Sequence, residues 1–212
     1  MAKSSDTLTP RRQRRRERNR EALRQAARAV FERKGYVDAT IQDLIDEADI
    51  GRGTFYNYFD SKDEIFADLV QELVNELVQA ATEIGDEKSI RSRLHIGIGG
   101  IIRVAKRNRK MLAAVGQAIH VNADHAKAWS QLHDRLEKSI ARDLDWCKRH
   151  GMIDDQDTDM LAMILTGMLE STLLEFAVRG PANAQALENA LVDVYWNSVF
   201  RPHEGADDYT ID

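Results

Sequence analysis

The chain has 212 residues, is 43% hydrophobic and 31% charged, contains three prolines and one cysteine, and carries a formal net charge of −5. That length suits one generous domain or a small head on a larger body, and the scarcity of proline beside abundant Ala, Leu, Glu and Arg predicts an all-α fold of about nine helices. No uninterrupted apolar run approaches the roughly 18 residues that span a bilayer, the N-terminus has no apolar signal core, and Cys147 has no partner for an internal disulfide, so a cytoplasmic protein with no membrane partner is expected.

The net charge conceals an asymmetry. Residues 1–34 hold twelve Lys/Arg against four Asp/Glu, and the remainder holds eighteen against thirty-one. A basic head on an acidic body predicts a polyanionic partner for the head alone.

In chain order, residues 1–18 read as a basic, disordered arm, with RRQRRRERNR over 11–20 supplying seven arginines. A solvated helix start accounts for such a run; so does an arm that contacts phosphates or a minor groove, with Arg14, Arg15 and Arg16 at its centre. Leu23, Ala26, Ala27, Val30 and Phe31 recur at helical spacing, predicting a first helix at about 12–34 that Gly35 ends. Thr40 with Asp43 resembles a capping box for a short helix at about 41–48. Asp49-Ile50-Gly51 is a tight break, and Arg52–Tyr58 reads as another short helix. Two short helices joined by a three-residue turn form a helix-turn-helix. Ser61 with Glu64 caps a long helix at about 62–84. Helices follow at about 88–107, 109–120, 124–150, 155–179 and 183–200. The units expected are a head over 19–66, a helical body over 67–202 and an acidic tail over 203–212.

The stretch GRGTFYNYFDSK, Gly51–Lys62, interleaves four aromatics with cations and amides. Phe55 and Phe59, four apart, share one side and suit attachment to the head core. Arg52, Tyr56 and Asn57 then lie largely elsewhere. Arg and Asn match the edges of guanine and adenine, and the hydroxyls of Thr54, Tyr56 and Tyr58 suit phosphate oxygens. Gly53 leaves backbone room beside a phosphate or base, and Lys62 stands at a helix N-terminus.

On these residues the stretch TIQDLIDEADIGRGTFYNYFDSKDEIF, Thr40–Phe66, resembles the DNA-binding signature of the TetR family of bacterial transcription regulators. Asp49 stands where that family often has Gly, and Gly51 where it often has Ser or Ala. The resemblance implies backbone contacts with double-stranded DNA from Thr40, Thr54, Tyr56 and Lys62. It implies base-facing roles for Gln42, Arg52, Gly53, Asn57 and Tyr58, although packing inside the head is the competing use of the tyrosines. It further implies a homodimer joined through the last two helices, two recognition helices roughly 34 Å apart on a palindromic operator, and a small-molecule effector bound in the body.

The body sequence accommodates both jobs. The helices at about 155–179 and 183–200 carry more apolar residues than one stripe needs, so each is expected to be buried on two sides. Leu169, Leu173, Phe176, Leu187, Leu191, Val194 and Tyr195 are the expected dimer contacts. For the effector pocket the expected lining is Met111, Val115, Ile119, Trp129, Leu132, His133, Leu136, Met163, Thr166, Gly167 and Glu170, with Trp129 equally readable as plain core. GQAIHVNADHAKAWSQL, Gly116–Leu132, resembles actinobacterial regulators with long lipophilic pockets, which implies an apolar ligand. His120, His125 and His133 do not fall on one face, so no metal site and no cofactor are expected. No nucleophile elbow, phosphate loop or paired-carboxylate constellation points to an enzyme. The expected function is a repressor released from DNA by its ligand; the alternatives are a ligand-responsive activator and a non-specific DNA-binding protein driven by the arginine run.

Overall fold

The structure is a computed structural model and describes residues 10–180 and 183–200. The expected tail at 203–212, the first nine residues of the arm, Pro181 and Pro202 lie outside the described residues. The chain is all-α: α1 Pro10–Asp38, α2 Ile41–Ala48, α3 Arg52–Tyr56, α4 Lys62–Thr82, α5 Ile90–Arg107, α6 Arg109–Val121, α7 Ala123–Arg149, α8 Thr158–Arg179 and α9 Ala184–Val199. Residues 10–18 therefore continue α1, which corrects the expectation of an irregular arm over that part. Arginine is a good helix former, so a basic run attached to an established helix propagates it at little cost.

The helix limits follow local chemistry. At Gly35 the backbone turns to φ 79°, a left-handed conformation that breaks α1's helical geometry before its last residues. A side chain there would also collide with Gln117, whose Oε1 stands 2.4 Å from the position a Cβ would take. Gln117 Oε1 instead accepts from the backbone N–H of Tyr36 at 2.9 Å. Thr40 caps α2 reciprocally: its hydroxyl accepts from the Asp43 N–H at 3.2 Å while Asp43 accepts from the Thr40 N–H at 3.0 Å. Asp49 ends α2 in left-handed geometry, φ 49° and ψ 50°, which Asp tolerates better than most residues. Ser61 accepts from the Glu64 N–H at 3.1 Å and so caps α4.

Leu23, Ala27, Val30 and Phe31 of α1, Leu44 and Ile45 of α2, and Phe55 and Phe59 around α3 are buried together with Ile65 and Phe66 of α4. Phe31 meets Phe66 edge-on at 4.8 Å between ring centres. α4 runs unbroken through the expected unit boundary near residue 66, packing on α1 at one end and on α5 and α7 along its length. Close approach of α4 and α5 rests on glycine: a Cβ on Gly100 would lie 2.6 Å from the Ala80 carbonyl oxygen. α1 also lies along α6, and α7 packs against α8.

α8 qualifies by length and composition as a helix able to cross a membrane, with a mean hydropathy of 1.6 over its most apolar window and 39% of that window buried. The sequence reading, which counted only uninterrupted apolar runs, did not register it. Its apolarity is two-sided: Ala162, Leu165, Leu169, Leu173 and Phe176 enter the core, while Met160, Met163, Ile164 and Val178 are exposed.

Candidate nucleic-acid interface and internal cavity

The helix-turn-helix displays one coherent polar face. Phe55 and Phe59 are fully buried, as their spacing predicts. Arg52, Gly53, Tyr56 and Asn57 are exposed, Thr54 is half-buried, and Tyr58 is half-buried against the core. Tyr56 is 44% exposed and meets the Phe55 ring edge-on at 5.4 Å, so a buried ring fixes the direction of an accessible one. Nothing lies within 4 Å of a Cβ built on Gly53, so the open space there is available to a partner. Gln42 is exposed and donates to Asp46 at 2.7 Å. Thr40 is exposed, but its hydroxyl is engaged in the cap. Arg14, Arg15 and Arg16 are exposed on the first turns of α1.

Lys62 is engaged within its own chain. Its ammonium donates to the carbonyls of Tyr36 and Ala39, both at 2.9 Å, and lies over the Tyr36 ring. An ammonium has three donors, and these two carbonyls take two of them. Lys62 therefore pins the end of α1 to the start of α4.

Beside it is a buried junction between head and body that sequence reading missed. Tyr36 Oη donates to Asp63 at 2.6 Å and is approached by His125 Nε2 at 3.2 Å and by Asn122 Nδ2 at 3.5 Å. Burial and the Asp63 contact push the Tyr36 phenol up to about 12. Because its proton goes to Asp63, the phenol oxygen must accept from His125, so Nε2 carries the imidazole proton. The other nitrogen, Nδ1, is buried without a partner. Desolvation accordingly lowers the His125 pKa, against smaller opposing effects of Asp63 and Asp124. No local pattern announces this cluster, because Tyr36 and His125 are 89 positions apart.

The body encloses a cavity of about 360 Å³ between α4, α5, α7, α8 and α9. Its walls include Ile98 and Ile101 of α5, Ile140 and Trp146 of α7, Leu165 of α8 and Tyr195 of α9. Of the expected pocket residues, only Leu136 lines it. Met111, Val115, Leu132 and Thr166 are buried, Ile119 and Gly167 half-buried, and none faces this space. Trp129, His133 and Glu170 satisfy one another instead. The Trp129 indole N–H and His133 Nδ1 engage the two Glu170 oxygens, the second at 2.8 Å, and His133 Nε2 reaches Glu137 at 3.0 Å. Desolvation is the largest single influence and lowers the His133 pKa, but the contacts with Glu170 and Glu137 together outweigh it and raise the pKa. The cavity follows the stripe of α7 that begins at Leu136 and continues through Ser139, Ile140, Asp143 and Cys147. Cys147 is buried there, and desolvation lifts its thiol to about 11, consistent with an inert filler.

The expected dimer residues are also redistributed. Leu169, Leu173, Phe176, Leu191 and Tyr195 point into their own chain, Leu169 and Tyr195 lining the cavity. Leu187 is half-buried and Val194 exposed. Met163, expected in the pocket, is exposed with Met160, Ile164 and Val178. A helix that is apolar on two sides does not declare from sequence which side turns inward.

Comparison with known proteins agrees with this architecture. Residues 23–69 match the model of bacterial regulatory proteins of the tetR family, and residues 87–199 match the tetracyclin repressor-like C-terminal domain. The chain is 23% identical over 149 residues to the probable acrEF/envCD operon repressor of Escherichia coli K12, covering 66% of this chain and 67% of that one. A TetR-family regulator from Syntrophomonas wolfei superposes with a TM-score of 0.72 at 19% identity, over 86% of this chain and 95% of the other. The fatty acid degradation regulator FadR of Bacillus halodurans gives 0.71 at 19%, over 84% and 94%. With a helix-turn-helix whose polar face is open and a C-terminal match spanning more than half of its length, this chain belongs to the TetR family of DNA-binding transcriptional regulators.

Proposed function

We propose that this protein is a non-enzymatic, cytoplasmic transcriptional repressor. It acts as a homodimer on a palindromic operator and leaves the DNA when a small, largely apolar molecule enters the α4–α5–α7–α8–α9 cavity. The observation that carries this reading is α4 itself. Its first residue, Lys62, is clasped to the head, and Ala81 near its other end is part of the cavity wall. One rigid helix thus connects ligand volume to the placement of α3.

Arg52 and Asn57 are the base readers, Tyr56 and Thr54 the backbone contacts, with Gln42 and Gly53 beside them. Arg14, Arg15 and Arg16 add sequence-independent affinity. Lys62 positions the head. The exposed apolar residues Met160, Met163 and Ile164 of α8 and Val194 of α9 are the dimer surface, since exposed apolar side chains are the usual mark of an interface. Repression is favoured over activation by the resemblance to an operon repressor.

The test is selection of short genomic fragments by the purified protein at about 150 mM salt, where non-specific binding is weak. A recovered palindrome with half-sites about one helical turn apart supports the reading. An unenriched background refutes operator recognition and leaves the arginine run as the source of affinity.

A further inference from the structure

Among the described histidines, His125 alone is buried, at 2% exposed. It stands in the first turn of α7, yet its ring is edge-on to Tyr36 of α1 and Phe66 of α4, each at 5.0 Å between ring centres. One imidazole of the body is thus inserted between two helices that carry the head. Its hydrogen bonds form a closed set. Nε2–H goes to Tyr36 Oη, Tyr36 donates to Asp63, and the other Asp63 oxygen accepts from Asn122 Nδ2 at 3.3 Å. Asn122 in turn caps α7, its Oδ1 accepting from the Asp124 N–H at 2.9 Å and from the His125 N–H at 3.4 Å. The set suits only a neutral imidazole, because Nδ1 is buried and meets no hydrogen-bond partner among the described residues. A proton on Nδ1 would create a buried donor without an acceptor and a charge on a desolvated ring. The charged groups that bear on it are Lys62 and Asp63 of α4 and Asp124 of its own helix, and the group in contact from α1 is the Tyr36 phenol. Lys62 repels the new charge, Asp63 is committed to Tyr36 and Asn122, and Asp124 is exposed and screened by solvent. The charged ring is relieved only by reaching water, which requires the junction to open.

The head contains no histidine, since none of the chain's six lies before His95. Its Arg, Lys, Tyr and carboxylate side chains ordinarily titrate outside the range of about pH 5.5–7.5. No side chain offered to DNA therefore changes charge over that range. We infer that operator binding is proton-sensitive through the head–body junction: neutral His125 holds the end of α1 and the start of α4 in the arrangement that presents α3, and its protonation releases them, so that acid weakens operator recognition. His125 is a positioning residue that acts through Tyr36 and Asp63. The proton is a second input, separate from the effector, and it enters about three helical turns ahead of Leu136, where α7 first joins the cavity wall. The inference rests on the operator reading above and is independent of the effector.

The test measures binding of the full-length protein to its selected operator and to a scrambled duplex of equal length, by fluorescence anisotropy at constant salt, from about pH 7.5 to about pH 5.5. The operator Kd is expected to rise by about tenfold or more toward the acid end, while the Kd for the scrambled duplex changes little. His125→Gln supplies an amide that can donate to Tyr36 Oη and takes up no proton. It should bind the operator as the parent does at the upper pH and keep that affinity at the lower one. A parent Kd that is flat with pH, an equal response of operator and scrambled duplex, or a fall retained in His125→Gln would each overturn the inference. Should His125→Gln melt far below the parent, the ring of His125 is titrated by NMR in the free and the operator-bound protein instead. Reciprocity of coupled binding requires its pKa to be lower in the bound form, and one value in both forms would overturn the inference. Failure of the operator reading is distinct, since it leaves no enriched sequence to bind; failure here leaves an operator that is bound equally at both ends of the pH range.

Discussion

Lys62 donates to the Tyr36 carbonyl at 2.9 Å, and the same nitrogen lies 4.5 Å from the centre of that tyrosine's ring. One side chain from the first residue of α4 thus grips the last turn of α1 twice. Hydrogen bonds from charged donors are typically worth about 1.5–3 kcal/mol each when one partner is removed. Lys62→Ala is therefore expected to lower the melting temperature and weaken binding to every duplex alike. The salt dependence of binding should stay unchanged, since no phosphate contact is lost. A salt slope lower by about one ion would instead place Lys62 on the DNA backbone.

Tyr56 and Arg52 make a contrasting pair, both exposed on α3 but suited to different parts of the duplex. Tyr56→Ala should weaken all sites uniformly with a modest effect on stability, because the ring is 44% exposed and its ring contact is with Phe55. Arg52→Ala should cost about 1–3 kcal/mol on the preferred operator and relax preference at one position per half-site. Binding curves against a panel of single-base operator variants separate the two outcomes. Uniform weakening by Arg52→Ala would remove it from base recognition.

His125 gives the junction a defined pH response. Its folded pKa lies below its ordinary value of 6.5, so the unfolded chain takes up the proton first as pH falls. Its contribution to stability is thus present above 6.5 and declines as pH drops toward the folded value. Protonation would place an N–H at the buried, unpartnered Nδ1, beside the Lys62 cation; Asp63 and Asp124 soften the penalty. Melting temperatures between pH 7.5 and 5 should fall, and His125→Leu should flatten that part of the fall even if it lowers the plateau. An unchanged slope in the variant would contradict the assignment.

His133 has the opposite sign. Held between Glu137 and Glu170, its folded pKa is raised, so its stabilisation is complete below 6.5 and is lost as pH rises through the folded value. His133→Gln should therefore cost more stability at pH 6 than at pH 8. A cost independent of pH would show that the imidazole is neutral in its contacts with the two carboxylates.

Ile164 is 56% exposed on a face of α8 that also carries Met160. If this face joins two subunits, Ile164→Asp buries a charge in the interface and should convert a dimer to monomers in sedimentation or light scattering. Operator affinity should then collapse, because one half-site supplies only part of the contacts. Leu173→Asp, by contrast, should unfold the subunit, since Leu173 is buried in its own chain. A monomeric parent protein would refute the assignment of this face.

The sequence by itself determined whatever depends on neighbours along the chain. The Thr40–Asp43 cap, the left-handed Asp49, the stop at Gly35 and the opposed faces of Phe55 and Tyr56 are all set within a few residues. Spacing and backbone preference encode them directly, and they carried the DNA-binding reading. What only the tertiary structure decided are the relations between distant helices. Trp129, His133 and Glu170 are polar and aromatic enough to suggest a pocket, but each side chain finds its partner across the α7–α8 contact and closes the space. The real cavity is walled by residues of five helices, α4, α5, α7, α8 and α9, an assembly that no single helix reveals. Lys62 reads as a cation beside DNA, and only the fold brings Tyr36 and Ala39 against it. Helical periodicity specifies that a face is apolar or polar; which neighbour covers that face is decided by packing, where one contact excludes another.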